Sequence, residues 1–145
     1  MPIASSRRSP EVQATVTQLA RIAWVARAGL AFMFFYHGLV PKLLALSAGE
    51  RLMITAHGFQ DPEQIARLSG LAEIALAVWL LSPWYRRGSL AIAATALAGL
   101  LADVAVITPH LLAEAFNPVS LNLAGLALCA VAWLAEAPVP RAHPA

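Results

Sequence analysis

The sequence predicts an all-α integral membrane protein, a four-helix bundle with both termini cytoplasmic. Three observations carry this: an apolar composition, four long apolar runs punctuated by helix signals, and a one-sided distribution of basic residues. Of 145 residues, 59% are hydrophobic and 12% charged, with a mean hydropathy of +0.67, far from the balance of a soluble domain. A soluble chain of this size buries only about two-thirds of its unfolded surface, too little to hide so much apolar side chain. Lipid must cover the remainder.

A bilayer core about 30 Å thick needs about 20 apolar helical residues, and four runs meet that length: 19–46, 63–81, 89–108 and 119–136. Asp61-Pro62 and Asn117-Pro118 each place an N-cap residue before a proline suited to the first helical position of spans two and four. Pro83 and Pro109 stop spans two and three. Residues 1–18, with Ser5, Ser6, Arg7, Arg8, Ser9 and Pro10, read as a flexible cytoplasmic tail, 19–137 as the membrane domain and 138–145 as a C-terminal tail. Between spans one and two, Glu50 to His57 can form a short surface helix, and His110 to Phe116 another.

Arg7, Arg8, Arg21, Arg86, Arg87 and Arg141 share one side of this topology, leaving Lys42, Arg51 and Arg67 on the other beside Glu50, Asp61, Glu63 and Glu114. Basic loops stay in the cytoplasm, so both termini are expected there, in a cell (inner) membrane. Trp24, Trp79, Trp84 and Trp133 then fall near the cytoplasmic interface, where tryptophan anchors helices. The first span is no signal peptide: its apolar run is too long and is broken by Arg27, His37 and Lys42.

Polar groups within spans are costly and face protein or a cavity. Here they are Arg27, His37 and Lys42 on span one, Glu73 on span two, Asp103 on span three and Asn122 on span four. At 1.5 Å per residue Arg27 and Glu73 reach similar depth and are expected to pair, either locking two helices or serving a ligand. His37, Lys42, Asp103 and Asn122 are expected to gather in the outer half of the bilayer as a pocket. Small residues accompany these groups at helical spacing: Ala66, Gly70 and Ala77 with Glu73, Ala96 and Gly99 with Asp103, Gly125 and Cys129 with Asn122. Such stripes are expected to be helix contacts. The plainer alternatives are a hydrogen-bonded interfacial His37, a Lys42 reaching the outer headgroups and an Asn122 bonded between helices. Pro41 frees the carbonyl of His37 and is expected to kink span one beside these groups.

Several chemistries are excluded. The basic residues are scattered, which speaks against nucleic acid. Cys129 is the single cysteine, so there is no disulfide, thiol pair or cysteine-built zinc site. Only His37 among the histidines lies within a span, so a bis-histidine haem is not expected. No nucleotide loop, nucleophile elbow or metal cluster is present, and catalysis by the chain alone is not expected.

Arg27-Ala28-Gly29-Leu30-Ala31-Phe32, continuing to Tyr36-His37-Gly38-Leu39-Val40-Pro41-Lys42-Leu43-Leu44, resembles the first helix of the DoxX-like membrane proteins, in which an arginine precedes an HG-x-x-K segment. Gly70-Leu71-Ala72-Glu73 resembles the family's second-helix glutamate segment, Arg86-Arg87-Gly88 its basic turn, and Phe116 to Asn122 the start of helix four in one branch. The resemblance implies a four-helix membrane fold with Arg27, His37, Lys42 and Glu73 at motif positions. It also implies an association with respiratory or thiol redox systems, since the name-giving member is a subunit of a quinone-reducing complex and similar domains are fused to NAD-binding dehydrogenase-like domains. The lone cysteine does not fit the thiol-redox branch. The function expected is an accessory membrane module for a quinone-linked or NAD-linked oxidoreductase, with quinone as the candidate ligand and no covalently bound cofactor. A small-molecule or ion carrier using buried carboxylates, and a structural interaction protein, are the alternatives. Partners expected are the lipid bilayer, an oxidoreductase subunit and further copies of the chain.

Overall fold

The computed structural model describes residues 9–113 and 117–136. The C-terminal tail, Arg7, Arg8, Arg141 and the segment 114–116, which ends the second expected surface helix, lie outside the described residues. Among the described residues five α-helices follow in order: α1 Pro10–Gly38, α2 Ala48–Ala56, α3 Pro62–Leu81, α4 Arg86–Ile107 and α5 Pro118–Ala135. Among them four helical segments are long and apolar enough to cross a membrane: Pro10–Leu44, Pro62–Leu81, Arg86–Ile107 and Pro118–Ala135.

The expected caps form. Asp61 Oδ1 accepts from the Gln64 amide at 3.0 Å and Asn117 Oδ1 from the Ser120 amide at 3.0 Å, each before a first-turn proline. Of the expected tail only 9–18 lies among the described residues, and there α1 already begins at Pro10, ahead of the span expected from Leu19, because Ser9 caps it, Pro10 occupies its first turn and Glu11 sits at the positive end of its dipole. The kink expected at Pro41 takes the form of a π-helical turn over Leu39–Leu44. Proline removes a donor there, and the chain answers with wider bonds, Ala45 N to the Val40 carbonyl at 3.2 Å and Ser47 N to that of Pro41 at 3.0 Å. The expected surface helix is α2, capped by Ser47 accepting from the Glu50 amide at 3.2 Å. A 3-10 turn over Pro109–Ala113 precedes α5.

Helix α1 packs mainly against α3 and α5, and α4 against α5. Ala26, Leu30, Phe34, Ala77, Leu80, Leu97, Cys129 and Ala132 share the buried core. Where α1 meets α3, a Cβ built on Gly38 would stand 2.5 Å from the Gly70 carbonyl oxygen, and one on Gly70 2.6 Å from that of Gly38. Two glycines thus let the backbones touch. Helices α3 and α4 meet much less. The space between them positions the site.

Candidate functional site

A hollow of about 600 Å³ lies between α3 and α4, with α2 along its outer side. Its walls are largely apolar, with Phe34, Leu76, Ile92 and Ala96 among them, and two charged groups of residues break this lining.

The first is built on Lys42. The π-helical turn carries this side chain inward, and it is 8% exposed. Its ammonium donates to Glu73 Oε1 on α3 and lies 3.6 Å from Glu50 Oε1 on α2. The second oxygen of Glu73 is buried without a hydrogen-bond partner among the described residues. Burial holds the Glu50 carboxyl above its ordinary range against the opposing pull of Lys42, and Glu73 nearby pushes it further in the same direction.

The second joins α2 to α4. His57 Nε2 stands 2.8 Å from Asp103 Oδ1, and Nδ1 stands 2.8 Å from the Met53 carbonyl. A carbonyl only accepts, so Nδ1 donates, and one further proton lies between Nε2 and Oδ1. The bond to the Met53 carbonyl, followed by that to Asp103, raises the imidazole pKa above its ordinary value. No three His, Cys, Asp or Glu side chains converge as a metal site among the described residues.

At the opposite end, Arg27 is 2% exposed and fully engaged. Nε donates to the Leu80 carbonyl at 2.7 Å, Nη1 to the Arg86 carbonyl at 3.0 Å and Nη2 to Ser89 Oγ at 2.9 Å. Nη1 also lies 3.5 Å from Glu136 Oε1. That oxygen accepts from Arg86 Nε at 3.0 Å and Nη2 at 2.8 Å. The guanidinium therefore ties α1 to the end of α3, the start of α4 and the end of α5.

Among the residues expected to form one pocket, Lys42, Glu73 and Asp103 do line the hollow. Arg27 does not pair with Glu73, which is a correction: its partner Leu80 lies about 10 Å further along α3 at 1.5 Å per residue. His37 is half-buried beside Tyr36, ring centroids 6.3 Å apart, and stands outside the lining. Asn122 is buried on the α5 stripe with Gly125 and Cys129, also away from the hollow, its Nδ2 unbonded among the described residues. The stripes with Glu73 and Asn122 are helix contacts. That of Asp103 is not: Ala96, Gly99 and Asp103 line the hollow, and a Cβ on Gly99 would meet nothing within 4 Å.

Sequence reasoning missed Glu50 and His57 as site residues. Their signal was present, since Glu50, Met53, Ile54 and His57 recur at i, i+3, i+4 and i+7, one face of a helix, and all four line the hollow.

No curated protein and no solved structure matches the chain significantly. A family model does, that of the DoxX-like family, over residues 31–140. The matched stretch contains the Lys42, Glu73 and Asp103 positions and all four membrane-spanning helices in whole or part. This multi-pass membrane protein belongs to the DoxX-like family.

Proposed function

We propose that the chain is an accessory membrane module of a quinone-linked or NAD-linked oxidoreductase, holding a quinone or similar amphiphile in the hollow between α3 and α4. The observation that carries this reading is the convergence of Lys42, Glu50 and Glu73 with the His57–Asp103 pair on one largely apolar hollow between membrane-spanning helices and α2. Amphiphile sites combine apolar walls with a few polar groups that fix orientation.

The residues fit such a ligand. Apolar walls suit a ring, Gly99 leaves room beside it, and Lys42 has three N–H groups for two carboxylates, leaving one for a carbonyl oxygen. The protein's part is to bind and orient, with His57 and Asp103 holding a proton at the wall. A bound quinone supplies the electron-accepting chemistry.

A carrier that binds cations through its carboxylates is less well supported. Glu73 already faces Lys42, and Asp103 faces His57.

The test is purification of tagged protein from its native membrane in mild detergent, with extraction of bound quinone and identification of stoichiometric partners. An oxidoreductase subunit and bound quinone are expected, with quinone content at least tenfold lower in the inserted double variant Glu73→Gln, Asp103→Asn. Recovery of the chain without quinone or partner, or unchanged quinone in the variant, overturns the reading.

A further inference from the structure

The second hollow, about 650 Å³, lies at the other end of the bundle, between the first half of α1, the α3–α4 link and the end of α5. One wall is apolar, formed by Val16, Leu19, Ala20 and Ala23; facing it are Arg86, Arg87 and Glu136. Two guanidinium groups, Arg86 and Arg87, line it with one carboxylate among the described residues, that of Glu136, behind which Arg27 lies 3.5 Å away. Arg27 is buried and spent on its own hydrogen bonds, whereas the Arg86 side chain is 41% exposed. Arg87 donates to the Glu136 carbonyl at 3.2 Å and lies 5.0 Å above the Trp133 ring, with no carboxylate partner among the described residues.

The same end carries exposed Trp24, Trp84 and Tyr85. Exposed tryptophan and tyrosine mark the headgroup level of a bilayer, so this cationic hollow opens where lipid phosphates lie. The α4 helix starts there without a side-chain cap, adding the positive end of its dipole.

We propose that this groove binds one anionic phospholipid, its phosphate on Arg86 and Arg87 and the upper part of an acyl chain along Val16, Leu19, Ala20 and Ala23. The net positive charge of the lining selects an anionic headgroup over a zwitterionic one, and the apolar wall selects a lipid over a free anion. Arg87, without a carboxylate partner among the described residues, has a planar fork that matches two phosphate oxygens, and the exposed Arg86 adds positive charge beside it. The basic bias of this end places it toward the cytoplasmic leaflet, where anionic lipid attracts juxtamembrane arginine.

The experiment is native mass spectrometry of the delipidated full chain titrated with phosphatidylglycerol or with phosphatidylcholine of the same acyl chains. One phosphatidylglycerol should be retained at least tenfold more tightly than phosphatidylcholine. The double variant Arg86→Gln, Arg87→Gln should bring the two lipids to parity. Ala20→Trp, which fills the apolar wall and leaves every arginine in place, should also release phosphatidylglycerol, and millimolar inorganic phosphate should not displace it. Equal retention of both lipids by the unaltered chain, undiminished preference in both variants, or displacement by inorganic phosphate overturns the proposal. Arg87→Gln alone, which keeps the Arg27–Glu136–Arg86 cluster, should still cut the preference severalfold. No change in this folded variant would also count against it.

Discussion

His57 Nε2 and Asp103 Oδ1 stand 2.8 Å apart and join the end of α2 to the face of α4 across 46 residues of sequence. With Lys42 near Glu50 at the start of α2, this fastens the short helix at both ends over the hollow. The imidazole pKa is raised by the Met53 carbonyl and Asp103, so the folded protein favours the imidazolium. Stabilisation from a raised histidine is fully present below the unfolded value of about 6.5 and is lost as pH rises through the folded value. Hydrogen exchange of the α2 amides, corrected for intrinsic rate, should therefore be slowest near about pH 6 and accelerate toward about pH 9. In His57→Gln that dependence should be reduced, leaving only the part set by the raised Glu50 carboxyl on the same helix. A wild-type pH profile that matches the variant's contradicts a protonation-dependent fastening.

Arg27 should matter more than any other charged residue to stability. Truncation to alanine strands the Leu80 and Arg86 carbonyls, Ser89 Oγ and part of Glu136 in a buried setting. Breaking such a site from one side costs about 3–5 kcal/mol. The loss should be read by unfolding in detergent, and a double-mutant cycle separates the partners. Coupling is expected between Arg27 and Glu136, and none between Arg27 and Glu73. Measurable coupling to Glu73 would contradict the geometry.

Lys42 and Glu73 form an asymmetric pair. Lys42→Met leaves two carboxylates, Glu50 and Glu73, facing one apolar hollow. Glu73→Gln leaves Lys42 with Glu50. The lysine change should destabilise by about 3 kcal/mol, in the range for orphaned buried charge, and the glutamine change by about 1 kcal/mol, in the range for one hydrogen bond. Equal losses in thermal unfolding would mean that Glu50 contributes nothing to holding Lys42.

The boundaries of the bundle were legible where local chemistry sets them. Asp61-Pro62 and Asn117-Pro118 cap α3 and α5 as read, and the Pro41 break is present as a π-helical turn. Ser9-Pro10-Glu11 carries the same kind of signal, masked in the sequence by the serines and arginines before it, which resemble a tail. With α1 starting at Pro10, Arg27 lies level with Leu80 at the end of α3 rather than with Glu73. The pairing of His57 with Asp103 depends on α2 folding back against α4, which no local pattern specifies. Helical periodicity gives the face of α4 that carries Ala96, Gly99 and Asp103, but not whether a helix or a cavity stands opposite.

The close approach of α1 and α3 gives a packing prediction. An alanine at Gly38 or Gly70 sets a methyl carbon 2.5 Å or 2.6 Å from the opposing carbonyl oxygen. Neither position is a flexible side-chain end, so the helices must separate. Overpacking of this kind costs about 1–3 kcal/mol, and movement of α3 would also shift Glu73 relative to Lys42. Gly38→Ala and Gly70→Ala should each lower the unfolding midpoint in detergent. An unchanged midpoint in both would mean that the helices can part freely.

Gly99 offers the opposite experiment on the same fold. It lines the hollow, and a Cβ there meets nothing within 4 Å. Leucine at this mid-helix position removes the helix cost of glycine, about 0.8–1 kcal/mol, and projects its side chain into the space between α3 and α4. Gly99→Leu should therefore leave stability unchanged or slightly raised while lowering binding of a short-tail benzoquinone by at least tenfold in equilibrium dialysis with nanodisc-embedded protein. Such a split separates occupancy of the cavity from integrity of the bundle, which removal of a buried charge cannot do. If Gly99→Leu binds the quinone as the unaltered chain does, the ligand sits elsewhere, and the polar groups around the hollow serve to hold α2 against α3 and α4.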